Sequence, residues 1–317
     1  MFIQFILLII GFILLIKGAD IFIDGASSTA QNFKVSKMLI GLTIVAFGTG
    51  APELAVSFNA ISSGNTDMVL GNVIGSNITN GLLILGVASI IRTITVKQNT
   101  VKKELPLHLL ISSILLVLFL DTEINNITPN MISRSDAIAI LLVFSVFIYY
   151  IISISRNKID EDEEPGKYST PKSLLFVALG LAGILAGSDL VVDSATNIAK
   201  ILNISERVIS LTIIAIGTSL PELVTTIISS LKKEQDILVG NIIGSNIFNI
   251  CIVLGLPTAI YGSIIPSTFQ IIDLIVLLLM SIFIYTLPRV NNYKITRMDG
   301  VFLILIYIAY YISLFVF

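Results

Sequence analysis

Gly41-Leu-Thr-Ile-Val-Ala-Phe-Gly-Thr-Gly-Ala-Pro-Glu53 recurs 169 residues later as Ser210-Leu-Thr-Ile-Ile-Ala-Ile-Gly-Thr-Ser-Leu-Pro-Glu222. The same shift, without a gap, lays Gly71-Asn-Val-Ile-Gly-Ser-Asn-Ile-Thr-Asn80 on Gly240-Asn-Ile-Ile-Gly-Ser-Asn-Ile-Phe-Asn249. It also lays Asp20 and Asp24 on Asp189 and Asp193. The matched letters are rare polar ones in an apolar chain, which shared composition cannot produce, so the two halves repeat one unit.

Around these motifs the chain is 55% hydrophobic and only 13% charged, with mean hydropathy +0.96 over 317 residues. A soluble domain of that size could not hide so much apolar surface. Apolar blocks such as Ile138 to Ile154 and Phe302 to Phe317 approach the roughly 20 residues a helix needs to cross a bilayer. The first block begins at Phe2 with no positive stretch before it and no small-residue cleavage site after it, so it reads as a retained span. A net charge of −2 gives no footprint for nucleic acid, and the lipid bilayer is the partner that composition implies. No protein partner can be read from it. Cys251, the only cysteine, lies in an apolar run, and His108, the only histidine, is expected to take an interfacial or packing role. Thiolate and imidazole metal chemistry are therefore excluded, and no resident cofactor is expected.

The expected fold is all-α and integral to the membrane, with ten spans. They run near 2–30, 36–62, 68–91, 105–120 and 136–155, then 172–201, 207–231, 237–262, 269–287 and 299–317. Fifteen of the nineteen Lys and Arg fall in alternate connections, after spans one, three, five, seven and nine. Basic residues collect on the cytoplasmic side, so both termini are expected outside a cell membrane crossed many times. Residues 1–155 form one five-helix repeat and 172–317 the second. Between them, 156–171 is a cytoplasmic linker carrying Asp160-Glu161-Asp162-Glu163-Glu164. Five spans is an odd number, so the second repeat enters from the opposite side. Inverted repeats with broken core helices are the architecture of secondary transporters, whose sites lie at mid-membrane.

Glu53 and Glu222 fall in the middle of their spans, where an uncompensated charge costs at least about 3 kcal/mol. Lys17, the single basic residue within a span, cannot neutralise two repeat-related carboxylates. Ligation of a transported cation is the reading that fits. Thr49 and Thr218 stand four residues before the glutamates, on the same helical face. Pro52 and Pro221 withhold an amide donor and, with Gly48 and Gly217, should break each helix and free carbonyls from Ala46 to Gly48 and from Ala215 to Gly217. Asn72, Ser76 and Asn80 form a stripe at spacing four, as do Asn241, Ser245 and Asn249. We assign Asn72 and Asn241 to helix packing and Ser76, Asn80, Ser245 and Asn249 to the ligand set. The result is an all-oxygen site of the kind hard cations take, about six to eight oxygens for calcium. Asp20, Asp24, Asp189 and Asp193 are expected to pair with Lys17 or cap helices.

At these residues the chain resembles the sodium/calcium exchanger family of the cation/calcium exchanger superfamily. Gly48-Thr-Gly-Ala-Pro-Glu53 and Gly217-Thr-Ser-Leu-Pro-Glu222, each followed by Gly-Asn-x-x-Gly-Ser-Asn, are similar to that family's two alpha repeats. The resemblance implies alternating access, with Ca2+ exchanged for Na+. It implies calcium between Glu53 and Glu222, and sodium at flanking positions built from Thr49, Ser76, Thr218, Ser245 and the carbonyls of Ala46 and Ala215. Two positions depart from the family pattern. Gly50 replaces a serine whose counterpart, Ser219, is kept as a hydroxyl ligand, and Asn249 stands where some relatives carry aspartate. The site then holds two formal negative charges, matched by one calcium or two sodium ions. Calcium/proton antiport stays open beside sodium coupling, since buried glutamates can carry protons. A channel is disfavoured by the repeat, and an enzyme by the lack of a nucleophile–base pair.

Overall fold

A computed structural model describes residues 2–125, 129–155, 166–202, 217–266 and 271–316. Its principal helices are α1 (Phe2–Asn32), α2 (Lys37–Thr49), α3 (Ala51–Ser62), α4 (Thr66–Ile91), α5 (Glu104–Phe119) and α6 (Arg134–Ser155). In the second half come α7 (Thr170–Ile201), α8 (Leu220–Leu231), α9 (Gln235–Tyr261), α10 (Ile271–Val290) and α11 (Arg297–Val316). The all-α, many-span membrane architecture is the one expected. Among the described residues seven helices are each long and apolar enough to cross a bilayer, and the bent pair α2 and α3 makes an eighth. The two remaining expected spans correspond to α5, of 16 residues, and to α8, of 12. The acidic stretch of the linker and residues 203–216, with Arg207 and Ala215, lie outside the described residues.

Among the described residues three stretches inside the helices widen to π winding: Gly41–Val45, Thr79–Ile84 and Asn249–Leu254. Such segments shift hydrogen bonds from i→i−4 to i→i−5 and recur at functional sites. Here they hold Asn80 and Asn249 and lead directly into Ala46. The chain also makes a two-residue antiparallel ribbon, pairing Ile94 with Ile295 and Thr95 with Lys294.

The chain forms two compact units, Met1–Pro52 with Asn157–Asn241, and Glu53–Arg156 with Ile242–Phe317. Each draws on both sequence repeats. In the first unit, α1 and α7 meet backbone to backbone over glycines. A Cβ on Gly180 would lie 2.6 Å from the Phe22 nitrogen, and one on Gly187 would lie 2.5 Å from the Leu15 nitrogen. Small residues at a membrane helix interface permit this approach. Around it Leu15, Phe22, Ile23, Ile40, Ile184 and Ile237 form an apolar core. Lys232 bridges to Asp20 at 2.9 Å and to Asp24 at 2.5 Å, Lys167 reaches Asp24 at 3.2 Å, and Lys37 pairs with Glu234 at 2.9 Å. The first-repeat aspartates thus pair with Lys232 and Lys167, not with Lys17 as expected.

These ion pairs tie together the connections after spans one, five and seven, all three assigned to one side by the basic-residue count. The second unit sorts the same way. The 94–95 and 294–295 ribbon joins the connections after spans three and nine. On the opposite set, Ile132 pairs with Ile264 and the Thr66 hydroxyl donates to the Ile265 carbonyl at 2.8 Å.

Candidate cation-binding site

Glu222 lies in the first turn of α8, behind Pro221, and is buried. Proline at the start of a helix loses nothing there, because the first amides have no intrahelical partner anyway. The carbonyl that Pro221 leaves unbonded, that of Gly217, accepts a hydrogen bond from the Ser188 hydroxyl at 3.2 Å. Thr49, from the first repeat, belongs to the same unit and its hydroxyl is in hydrogen-bonding contact with the Glu222 carboxyl. That hydroxyl also lies 3.0 Å from the Val45 carbonyl and 3.5 Å from Asn241 Oδ1. Ser219 is buried beside them, and Thr218 is half-buried. Among the described residues, Glu222 Oε2 and Ser219 Oγ have no hydrogen-bond partner. The structure therefore brings Thr49, Ser219, Glu222 and Asn241 into one unit.

The broken helix of the first repeat differs in detail from expectation. The Ala46 carbonyl accepts the Gly50 amide at 3.0 Å, so it is bonded within the helix and keeps one lone pair. Pro52 withholds its donor from Gly48, four residues back, and it is there that the ladder is interrupted. Gly50, with φ −80° and ψ 1°, marks the break between α2 and α3.

In the second unit Glu53 is buried in the first turn of α3. Asn72 of α4 donates to the Glu53 carbonyl at 3.0 Å and to the Ser57 hydroxyl at 3.1 Å, fastening α4 to α3. Its repeat mate Asn241 donates to Thr225 and Thr226 hydroxyls at 3.3 Å, and fastens α9 to α8 in the same way. Ser76, Asn80, Ser245 and Asn249 are all buried.

The two candidate amide ligands are clamped reciprocally. Asn80 Nδ2 donates to Asn246 Oδ1 at 3.1 Å, and Asn249 Nδ2 donates to Asn77 Oδ1 at 3.1 Å. Asn77 Nδ2 in turn reaches the Asn246 carbonyl at 3.3 Å. With each NH2 group engaged, Asn80 Oδ1 and Asn249 Oδ1 are left buried and without a hydrogen-bond partner among the described residues. Sequence reasoning passed over Asn77 and Asn246, although both stand inside the repeated Gly-Asn-x-x-Gly-Ser-Asn letters. His108, expected in an interfacial or packing role, is buried, and its Nε2 meets Asn246 Nδ2 at 3.2 Å.

A buried acceptor without a donor costs about 1–3 kcal/mol, so a row of them calls for something that supplies positive charge. Among the described residues no group of three His, Cys, Asp or Glu side chains is placed to hold a metal. What each unit does offer is a buried carboxyl together with buried neutral hydroxyl and amide oxygens. Such donors suit hard cations that stay labile, and not zinc or copper.

Comparison with known proteins agrees with this chemistry. The sequence model of the family described as sodium/calcium exchanger protein matches residues 3–153 and 172–316. The chain is 39% identical to a protein named putative antiporter CaxA from Alkalimonas amylolytica, over 99% of each chain. It is 30% identical, also over 99% of each, to sodium/calcium exchanger MaX1 from Methanosarcina acetivorans. Among solved structures, the sodium-calcium exchanger NCX_Mj soaked with 2.5 mM Na+ and 10 mM Sr2+ superposes with a TM-score of 0.85. The two are 31% identical, with 97% of each chain covered.

Proposed function

The chain belongs to the sodium/calcium exchanger protein family, and from that premise we propose that it exchanges Na+ for Ca2+ by alternating access, with Glu53 and Glu222 as the carboxylates that bind the transported cation. Membership makes it a multi-pass membrane protein and a cation/calcium antiporter. Sodium as the counter-ion is our reading.

One observation carries the reading: Glu222 Oε2, Ser219 Oγ, Asn80 Oδ1 and Asn249 Oδ1 are buried and have no hydrogen-bond partner among the described residues. In a dry interior such oxygens are costly unless a cation satisfies them. Thr49, Thr218, Ser76, Ser245 and the carbonyls of Ala46 and Ala215 complete the proposed ligand set, with calcium held by the glutamates and sodium at flanking positions. Two carboxylates fit one calcium or two sodium ions without leaving the loaded site negative.

The test is calcium-45 uptake into proteoliposomes with sodium, potassium or proton gradients imposed in turn. Uptake should follow an outward sodium gradient and ignore the other two. Uptake that follows the proton gradient and ignores sodium would instead make the protein a calcium/proton antiporter.

We place the protein in the cell membrane with both termini outside and the acidic linker inside. The fifteen basic residues in alternate connections support this orientation. Single cysteines introduced into a Cys251→Ala background should label from outside near residue 200 and only after permeabilisation near residues 167 and 233. Labelling of the linker in sealed cells would reverse the orientation.

A further inference from the structure

The amide clamp has an anchor at one end that the repeat does not supply. Asn80 Oδ1 can face a cation only while Asn80 Nδ2 stays on Asn246 Oδ1, and that requires the Asn246 amide to keep one orientation. His108 fixes it. An amide nitrogen is always a donor, so His108 Nε2 at 3.2 Å must be the acceptor. The ring proton then sits on Nδ1, which is buried and has no partner among the described residues. One helical turn earlier on α5 stands Glu104, also buried. The Tyr150 hydroxyl donates to its Oε1, and its Oε2 is buried with no partner among the described residues. Residues four apart share a helical face with Cβ atoms about 5–6 Å apart. The two orphans are complementary in kind, an N–H and a carboxyl oxygen, on one face of α5, and one water or a small rotation would join them.

We propose that Glu104 and His108 are positioning residues for the cation site: Glu104, held by Tyr150, keeps the proton on His108 Nδ1, so that Nε2 locks Asn246 and Asn246 turns the Asn80 oxygen toward the ion. This rests on the reading of Asn80 as a cation ligand. The equivalent of His108 in the second repeat is Leu277, which is buried apolar. Asn77, the mate of Asn246, is anchored instead on a backbone carbonyl. One half of the clamp is thus set by main chain and the other by a side-chain relay of Tyr150, Glu104, His108 and Asn246. Outer partners that orient a metal ligand typically change affinity about tenfold or more when lost.

The experiment measures calcium-45 uptake by the full chain in proteoliposomes against an outward sodium gradient, resolving KM from kcat. His108→Leu, which copies the second repeat, should raise the calcium KM about tenfold and leave kcat within about twofold. His108→Gln, whose side-chain oxygen can accept from Asn246, should restore most of the affinity. Glu104→Gln places an NH2 group toward Nδ1, favours the other tautomer and should raise KM about threefold. A parental KM in His108→Leu, with only kcat or Tm lowered, would mean a packing role and overturn the proposal. So would a His108→Gln variant as impaired as His108→Leu. If His108→Leu does not give monodisperse protein, the nearly isosteric Glu104→Gln decides, and an unchanged KM there overturns the relay. Glu53→Gln in the same series separates the two levels. If it keeps parental flux, the cation-site reading fails; if it is inactive while His108→Leu has parental KM, only the positioning fails.

Discussion

Asn72 in the first repeat and Asn241 in the second perform the same task, each tying its helix to the glutamate helix through a hydroxyl at the equivalent position, Ser57 or Thr226. Gly71 and Gly240, one residue earlier, share a letter and nothing else. A Cβ on Gly240 would lie 2.7 Å from the Met38 carbonyl oxygen and 3.0 Å from the Gly41 Cα, whereas Gly71 is exposed and a Cβ on it would meet nothing within 4 Å among the described residues. The contrast separates two reasons for a repeated letter. Where both copies make the contact, the letter belongs to the machine that was duplicated. Where one copy makes it, that position is free to diverge in the other.

The carboxylates are where symmetry should be hardest to break. Glu53→Gln and Glu222→Gln each remove half of the site's formal charge, and an uncompensated charge in a buried site costs about 3–5 kcal/mol. Calcium flux should fall at least a hundredfold in each, measured by uptake in proteoliposomes. Near-parental flux in either would show that the two halves are not equivalent and that one glutamate is structural.

The glycines should behave oppositely. Gly240→Ala drives a methyl into backbone that cannot yield, at about 1–3 kcal/mol, and should lower Tm and expression. Gly71→Ala adds a methyl at an exposed helix position with no described neighbour within 4 Å and should be neutral or stabilising by up to about 1 kcal/mol. Thermal melts followed by size-exclusion chromatography compare the two directly. Equal losses would mean that Gly71 also packs closely.

Much of this was legible beforehand, because a repeat written in rare polar letters survives any apolar background. Glu53, Glu222, Asn80 and Asn249 could be named from spacing alone. The Asp24–Lys232 pair could not, since 208 residues separate its members and any basic residue could have served. Nor could the π segments, because an i→i−5 bond leaves no trace in residue type. The bonded state of the Ala46 carbonyl was also hidden, as proline marks only the carbonyl four residues back. Asn77 and Asn246 were visible as matched letters, yet only their reciprocal bonds reveal that they hold Asn80 and Asn249. For His108 no more than an interfacial or packing role could be read, because a lone histidine in an apolar span carries no sign of which neighbour it meets.

Asn249→Asp sharpens the comparison between the two amides. It would add a carboxyl to the candidate site, but Asn249 Nδ2 now donates to Asn77 Oδ1. An aspartate there sets oxygen against oxygen, so Asn77 must turn and release the Asn246 carbonyl. The calcium KM should rise about threefold at neutral pH even though the site gains charge. Asn77→Asp in the same chain, whose carboxyl when protonated can donate back, should relieve the loss more at pH 6 than at pH 8. A lower KM in Asn249→Asp alone would show that added charge outweighs the lost clamp.

The smallest effect concerns Gly50 and Ser219, where the backbone is nearly the same in both repeats. Gly50 has φ −80° and ψ 1°, and Ser219 has φ −91° and ψ 6°. Neither conformation needs glycine, since φ is negative, so the difference lies entirely in one hydroxyl. Ser219 Oγ is buried and has no hydrogen-bond partner among the described residues. As a neutral ligand it contributes about as much as one hydrogen bond, about 1 kcal/mol. Ser219→Gly should therefore raise the sodium concentration for half-maximal exchange by about threefold to fivefold, and Gly50→Ser should lower it by a similar factor. The two changes together keep the hydroxyl count and move it to the other repeat. If the swapped protein matches the parent, the flanking sodium positions are equivalent. If it keeps the Ser219→Gly defect, sodium uses the second-repeat hydroxyl alone, and the site is asymmetric in its ligands as well as in its anchor.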